Sequence, residues 1–212
     1  MDPLMILSLL AMGAFGGFAA GLLGIGGGMI LVPFMTMIFT ALDFPPAHIV
    51  HMAIATCLAT ILFTSISSVR AHHLRGAVRW DIVRLFTPGI LAGLVGAGGG
   101  FVSIPFMTWY SVRIHNAVAT SAALGFPIAL AGTLANIWFG MGEALPAHSL
   151  GFIYLPALAI ISTASVLMAP LGARTAHKWP VQRLRRVFAY ILYALALYML
   201  WKGVVLAGVW RR

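Results

Sequence analysis

The residues that could do chemistry in this sequence occur in two matching blocks. Each block contains three consecutive glycines and, further along, a threonine inside an apolar run. Three glycines weaken a helix, since each costs about 1 kcal/mol relative to alanine. Backbone amides released from helical pairing can form a concave donor site for an anion. We therefore expect a substrate-binding role for both triplets, with a purely structural bend as the alternative. The glycines concerned are Gly26, Gly27, Gly28, Gly98, Gly99 and Gly100.

Small hydroxyl side chains stand at matched positions inside two apolar runs. Thr56 and Thr120 occupy equivalent places, and each is followed by a small polar residue, Cys57 or Ser121. In a membrane such side chains often bond to the preceding turn or to a neighbouring helix. Because they recur in both blocks, contact with a substrate is as well supported as such helix bonding. We therefore predict Thr56, Thr120 and Ser121 as substrate-binding residues.

Two histidines are also matched. His51 and His115 lie at equivalent positions near the ends of their apolar runs. Histidine titrates near neutral pH, so both could couple proton movement to transport, although a water or carbonyl partner at the membrane interface is the alternative. His72 and His73 fall in a basic loop and are expected to contact lipid headgroups. No cluster of His, Asp and Cys has metal-ligand spacing, and the sequence predicts neither metal nor cofactor.

The two blocks belong to an internal repeat. Residues 17–35 and 89–107 are identical at eleven of nineteen aligned positions. A second match, between 51–57 and 115–121, follows each copy in the same order. We expect a first repeat over 1–84 and a second over 85–212, within a single membrane domain over 1–212. Glycine-broken segments at matched positions of inverted repeats are typical of transporter sites near the membrane midplane.

Composition places these elements in a bilayer. The chain has 212 residues, is 61% hydrophobic and only 8% charged. Soluble domains are about 45–50% apolar and about 25% charged. The net charge of +9 comes from few bases set apart from long apolar runs, so it indicates no nucleic-acid partner. The sequence therefore predicts an all-α integral membrane protein in contact with membrane lipids.

Apolar runs long enough to span a bilayer indicate the topology. These runs are 4–41, 49–69, 85–110, 117–141, 150–171 and 187–207. The loops 70–84 and 172–186 are rich in arginine and are expected on the cytoplasmic side, opposite the loops around Asp43 and Glu143. Between the basic loops, 117–141 and 150–171 cross twice, so 85–110 must cross an even number of times. We expect 85–110 to be a re-entrant hairpin bent at its glycines.

The positions of the acidic residues indicate the charge of the substrate. Asp2, Asp43, Asp81 and Glu143 all lie at ends or in loops, so no predicted span contains a carboxylate. A cation transporter would place one there despite a cost of about 2.5–3.5 kcal/mol. A neutral, donor-rich cavity favours an anion. An enzyme is not expected, because no span holds a nucleophile with a base and an acid.

These motifs resemble the TauE/SafE sulfite-exporter family. The resemblance rests on the two glycine motifs with their following prolines, the 51–56 and 119–133 blocks, and the stretch from Pro170 to Arg174. It implies a permease of the bacterial inner membrane for sulfite, sulfonates or related anions, usually moved outward. The positions of the basic loops indicate that the two repeats have opposite orientation, so we expect a polytopic helical bundle of two inverted repeats that works by alternating access. By position, it carries a substrate-pathway role onto the triplets and the threonine neighbourhoods.

The chain departs from that family in one respect. Members usually have about two more hydrophobic segments after the loop that corresponds to 70–80, whereas here 81–93 runs directly into the second glycine motif. The first repeat is therefore expected to be truncated. A homo-oligomer could complete the pathway, and the alternative function is a non-transporting scaffold or accessory subunit.

Overall fold

The structure, a computed structural model, describes residues 3–24, 28–86 and 100–180, together with isolated positions between 182 and 200. Its contacts divide the chain into two units, Met1–Lys178 and Trp179–Arg212. The isolated positions described beyond residue 181 are helical. The predicted run 187–207 falls largely outside the described residues, and the single domain over 1–212 stays a prediction.

Helices make up almost all of the first unit. Four of the described helices are long and apolar enough to span a membrane. They are α1 (Pro3–Leu23), α3 (Ile49–His73), α6 (Ile114–Gly140) and α7 (Leu155–Lys178). Three shorter helices are α2 (Gly28–Ala41), α4 (Trp80–Phe86) and α5 (Gly100–Trp109). A two-residue hairpin of β1 (Ser149–Leu150) and β2 (Ile153–Tyr154) precedes α7. The all-α membrane bundle is confirmed, whereas the inverted repeats stay a prediction.

The break in the first apolar run lies at its glycines. A hydrogen bond from the Gly24 amide to the Ala20 carbonyl, 2.8 Å long, ends α1. Gly24 has φ +67°, and a Cβ there would come within 2.2 Å of the Val118 carbonyl oxygen. Only glycine combines that φ with so close a backbone. The chain resumes as α2 at Gly28, so the run 4–41 consists of two helices.

The second helix of each block ends in the same way. After α2, Asp43 has φ +53° and the Phe44 amide bonds back to the Phe39 carbonyl at 3.2 Å. After α5, Ser111 has φ +61° and the Val112 amide bonds to Met107 at 3.0 Å. Both are Schellman-type ends, in which a left-handed residue lets the chain reverse. The two sequence repeats therefore also share the backbone conformation at the ends of these helices.

Some predicted boundaries were wrong at the ends of spans. The run 150–171 was expected to begin at Leu150, but α7 begins at Leu155 because the hairpin turns at Gly151, which has φ +54°. At their other ends α3 and α7 continue into the predicted basic loops as far as His73 and Lys178. Basic residues are good helix formers and remain helical beyond the apolar run. The middle of the predicted hairpin over 85–110, residues 87–99, lies outside the described residues; the two residues before it are the last of α4, and α5 begins directly after it.

Glycine packing joins α1 to α7 along its length. Added Cβ atoms at Gly13, Gly17 and Gly21 would come within 2.0–2.7 Å of α7 backbone atoms. Ser165 reinforces the contact by donating a 2.8 Å hydrogen bond to the Gly13 carbonyl. Small residues let membrane helices approach closely, and the four-residue spacing of these glycines places them on one face of α1.

Contacts define two ends of this unit. At the acidic end, His48 lies 3.6 Å from Glu143, which brings the start of α3 beside the end of α6. At the basic end, the last turns of α3 and α7 meet the start of α6 through His72, His177 and His115. It follows that α3 and α7 run from the acidic end to the basic end, and α6 runs the opposite way.

Candidate functional site

A line of buried polar side chains follows α3. Thr56, Thr60, Thr64, Ser68 and His72 recur at every fourth position, and none is more than 2% exposed. Residues four apart lie on one face of a helix. The Thr60 hydroxyl donates to the Thr56 carbonyl at 2.9 Å, and the Thr64 hydroxyl donates to Thr60 at 2.8 Å. This set, the α3 polar stripe, carries hydrogen-bonding atoms from the interior to the basic end.

A small cavity adjoins the polar stripe. Its volume is about 10 Å³, and it lies between α1, α3 and α6, lined by Ala20, Thr64, Ser65, Ser68 and Ala122. The Ser68 hydroxyl is buried and has no hydrogen-bond partner among the described residues. A cavity of this size holds about one water molecule when polar groups line it. The stripe therefore contains an unused hydroxyl beside space for one small polar molecule.

The matched threonines make matched hydrogen bonds across the two sequence repeats. Thr56, in the first repeat, accepts the Tyr154 amide at 3.1 Å, and Tyr154 immediately precedes α7. Thr120, in the second repeat, accepts the Arg79 amide at 3.1 Å, and Arg79 immediately precedes α4. Each hydroxyl is fully buried. A hydroxyl that accepts can still donate its own hydrogen, so substrate contact at both residues stays a prediction.

Arg79 is also fixed through its side chain. Its guanidinium holds both carboxylate oxygens of Asp81, at 3.0 and 2.6 Å. This hydrogen bond lowers the pKa of Asp81 and raises the pKa of Arg79. Both side chains are exposed, so the pair orients the chain before α4 and contributes little to stability.

Ser121 connects the surroundings of both glycine triplets. Its hydroxyl accepts a 3.0 Å hydrogen bond from Ser103 on α5 and donates one of 2.9 Å to the Gly24 carbonyl. Gly24 stands two residues before the first triplet, and Ser103 stands three residues after Gly100. Residues that flank the two triplets are therefore joined through a single buried hydroxyl.

The triplets themselves are described only at their last members. Gly28 and Gly100 are the first residues of α2 and α5, which is the matched placement expected of a repeat. Gly26, Gly27, Gly98 and Gly99 lie outside the described residues. The substrate-binding role of all six glycines stays a prediction.

A histidine cluster occupies the basic end. His72 is fully buried, and its Nε2 lies 3.0 Å from the Gly21 carbonyl while its Nδ1 lies 3.0 Å from His177 Nε2. A carbonyl only accepts, so His72 carries its proton on Nε2, and its Nδ1 accepts from His177. The ring of His177 stacks on His115 at 5.9 Å, and the buried His115 Nδ1 has no partner in the described part of the chain. The expectation that His72 contacts lipid headgroups was wrong.

His51, the match of His115, has different surroundings. It is exposed near the acidic end, with its ring 5.6 Å from that of Phe152. His48 also packs against Phe152, at 5.8 Å. Within the described residues no group of three or more His, Cys, Asp or Glu side chains could hold a metal ion. Proton coupling at His51 and His115 stays a prediction.

Several of these residues were not anticipated from the sequence. Thr60, Thr64 and Ser68 carry a readable signal, since hydroxyl residues at four-residue spacing in an apolar helix predict one polar face. Ser103 and His177 have no such signal, because their partners are distant along the chain.

Comparison with known proteins assigns the chain to a family. The family model described as sulfite exporter TauE/SafE matches residues 9–93 and 85–199. The chain belongs to the TauE/SafE family. Four long apolar helices and transporter relatives together make it a multi-pass membrane transporter. No solved structure matches this member of the TauE/SafE family.

Three relatives of this TauE/SafE protein carry transporter names. A probable membrane transporter protein of Haemophilus influenzae is 30% identical over 260 aligned positions, which cover 93% of this chain and 98% of the relative. YunE of Bacillus subtilis, a probable membrane transporter protein, is 37% identical over 82 residues, 38% of this chain and 28% of its own. MamO of Paramagnetospirillum magneticum, another probable membrane transporter protein, is 29% identical over 120 residues, 53% and 17% of the two chains.

The alignment with the Haemophilus protein shows a difference in length. It runs over 260 positions, whereas this chain has 212 residues, so the relative has residues without a counterpart here. The family match is also divided into two parts that meet at 85–93. That stretch is where the sequence predicts missing segments.

Proposed function

We propose that this transporter carries a small sulfur-containing oxyanion, such as sulfite or an organosulfonate, and exports it across the inner cell membrane without chemical conversion. The observation that carries the proposal is the Ser121 link, because it joins residues flanking both glycine triplets. The printed description of the family, sulfite exporter, supports the substrate class.

The proposed site offers donors and no opposing negative charge. In this proposal the amides of both triplets are the N–H donors. Thr56 and Thr120 accept from backbone amides and keep their own hydrogens to donate, whereas Ser121 must release the Gly24 carbonyl before it can donate to a substrate. No carboxylate lies in the apolar runs, so an oxyanion entering them meets no like charge. Oxyanions accept several hydrogen bonds at once, and backbone amides at half-helix starts are well suited to donate them.

Alternating access between inverted repeats is the proposed mechanism of movement. Its support is that α3 and α6, the matched helices of the two repeats, run in opposite directions between the acidic and basic ends. The reciprocal bonds of Thr56 and Thr120 follow the same relation. Matched helices of opposite direction are expected when two repeats have inverted topology.

Proton coupling is proposed for His115 acting with His72 and His177. With His72 holding its proton on Nε2 and His177 donating from its own Nε2, an incoming proton has His177 Nδ1 or the unpartnered His115 Nδ1 as its acceptor. The groups facing His177 are His72, His115 and Arg75, all cationic when charged. Charging the cluster therefore favours separation of α3, α6 and α7 at the basic end. His51 is the corresponding candidate at the acidic end.

Flux through purified protein in lipid vesicles tests the proposal. We expect labelled sulfite or a sulfonate to cross, and Gly27→Val and Gly99→Val to abolish flux while the protein still elutes as a folded species. Gly16→Ala serves as a folded control, since its new Cβ meets only the side chain of Leu31. Absence of flux with every sulfur oxyanion, or a substrate-independent leak, would overturn it. The His177→Gln variant should remove the pH dependence of flux and leave counterflow exchange intact.

The greater length of the Haemophilus relative favours one alternative, an accessory or scaffold subunit. In that case the chain alone would show no flux. Flux would then require a stoichiometric partner, or a second copy in a homo-oligomer, and that partner should co-purify with the chain.

A further inference from the structure

An arginine-lined groove lies between α3 and α7 at the basic end, and we propose that it binds the phosphate headgroup of an anionic phospholipid. The groove has a volume of about 430 Å³. Its basic residues are Arg70 on α3, Arg75 in the turn after α3 and Arg174 on α7, and all three are exposed. Guanidinium groups bind phosphate oxygens in pairs, which makes arginine the preferred residue for such a site.

The charge of this arginine groove is not neutralised by the described part of the protein. Its described carboxylates are Asp43, Asp81 and Glu143. Asp81 is held by Arg79, and Glu143 lies against His48 at the acidic end. Asp43 ends α2 beside Phe44, which packs on Tyr154 at that same end. The arginines of the groove therefore have no carboxylate partner among the described residues and are available to bind an anion.

The walls of the arginine groove favour an amphiphile over a free ion. Ala71, Leu74 and Pro170 line it beside the arginines. Deeper along the same two helices, Ile66 and Leu167 are 54% and 70% exposed and face outward. Because α3 and α7 both run toward the basic end, these apolar side chains lie one to two turns below the charged groups. A phospholipid matches both regions, whereas sulfite or inorganic phosphate matches only the charged one.

A bound headgroup would join two helices that already touch. The Ser67 hydroxyl donates a 2.8 Å hydrogen bond to the Val166 carbonyl at the base of the groove. Arg75, just beyond the end of α3, donates a hydrogen bond from its guanidinium to the Ala71 carbonyl on that helix, which holds the guanidinium at the rim. Basic pockets between membrane helices on the cytoplasmic side are typical sites for anionic headgroups. The lipid thus stabilises the packing of α3 against α7.

Lipid titration of the detergent-solubilised full chain tests this proposal. Dioleoylphosphatidylglycerol should raise the apparent Tm of the wild type, and dioleoylphosphatidylcholine should not. The variant R70Q/R75Q/R174Q should need roughly a hundredfold more phosphatidylglycerol, as expected for the loss of three basic contacts near a membrane surface. A matched control, R79Q/R113Q/K178Q, removes the same charge at exposed positions of the same unit that do not line the groove.

Three outcomes would overturn the lipid site. Equal weakening of both triple variants would show diffuse surface attraction. Full stabilisation by sodium phosphate or sulfite without lipid would show a free-anion site. An unchanged midpoint in the groove variant would show that the arginines do not bind. Should that variant misfold, Arg174→Gln alone gives a readout, since its side chain is exposed at the end of α7; it should weaken binding severalfold.

Discussion

Replacing Ser121 by alanine is the sharpest perturbation of the proposed site. The change removes a hydroxyl that accepts from Ser103 at 3.0 Å and donates to the Gly24 carbonyl at 2.9 Å. Hydrogen bonds between membrane helices contribute about 0.6 kcal/mol on average and up to about 1.7 kcal/mol. Loss of both bonds should therefore cost about 2 kcal/mol. For a chain of this length that corresponds to a fall in Tm of about 4–8 °C.

Thermal unfolding in detergent measures this loss, with Ser65→Ala as the matched control. Ser65 is equally buried, but its hydroxyl donates to Leu62 within its own helix. Its removal should cost less than about 0.5 kcal/mol, because such bonds stabilise a helix little. Cysteine at position 121, which copies Cys57 in the first repeat, should recover part of the loss. Equal shifts for Ser121→Ala and Ser65→Ala would refute the link between the two triplets.

Three further predictions concern packing, charge and exposure. Gly17→Ala should lower Tm, whereas Gly16→Ala should leave it nearly unchanged or raise it. A Cβ at Gly17 comes within 2.4 Å of the α7 backbone, and such overpacking costs about 1–3 kcal/mol, while a Cβ at Gly16 meets the side chain of Leu31. Equal effects of the two changes would contradict the α1–α7 packing. Because the pKa of Asp81 is lowered, its contribution to the free energy of unfolding is fully present above the ordinary carboxyl pKa. That contribution is lost as the pH falls through the lowered pKa. Asp81→Asn should therefore remove a small, salt-sensitive part of the acid dependence of unfolding, and no change at low salt would argue against the Arg79 pair. Cys57 is 2% exposed, so maleimide should label it only after unfolding, as followed by mass spectrometry, and rapid labelling of the folded protein would disprove its burial.

The membrane-spanning helices were predictable because length and hydropathy alone decide them. The starts and ends of α3 and α6 fall within four residues of the predicted runs. The start of α7 was not predictable, since Ile153 and Tyr154 are as apolar as helical residues. What ends the hairpin there is tertiary contact: a Cβ at Gly151 would come within 2.6 Å of the Ile137 carbonyl on α6. Hydropathy cannot predict such a contact, because the two residues are distant in sequence.

The site was predictable only where the sequence repeats itself. Comparison of the two repeats selected Thr56 and Thr120, yet it could not supply their partners, because a backbone amide has the same chemistry at every residue. For His72, the neighbours in sequence gave the wrong prediction. Its basic neighbours suggested a surface loop, whereas Gly21 and His177, both distant in sequence, hold it in the interior.

The reciprocal threonine bonds constrain how this transporter can move. Thr56 holds the residue before α7, and Thr120 holds the residue before α4, so each repeat fastens an element of the other. Displacing one repeat as a rigid block would break both bonds at once and leave two buried hydroxyls and two backbone amides without these partners. A cycle that keeps them intact moves the start of α7 together with the middle of α3, and the start of α4 together with α6. The half-length helices α2 and α5 take part in neither bond, so they can shift against these two pairs without breaking either.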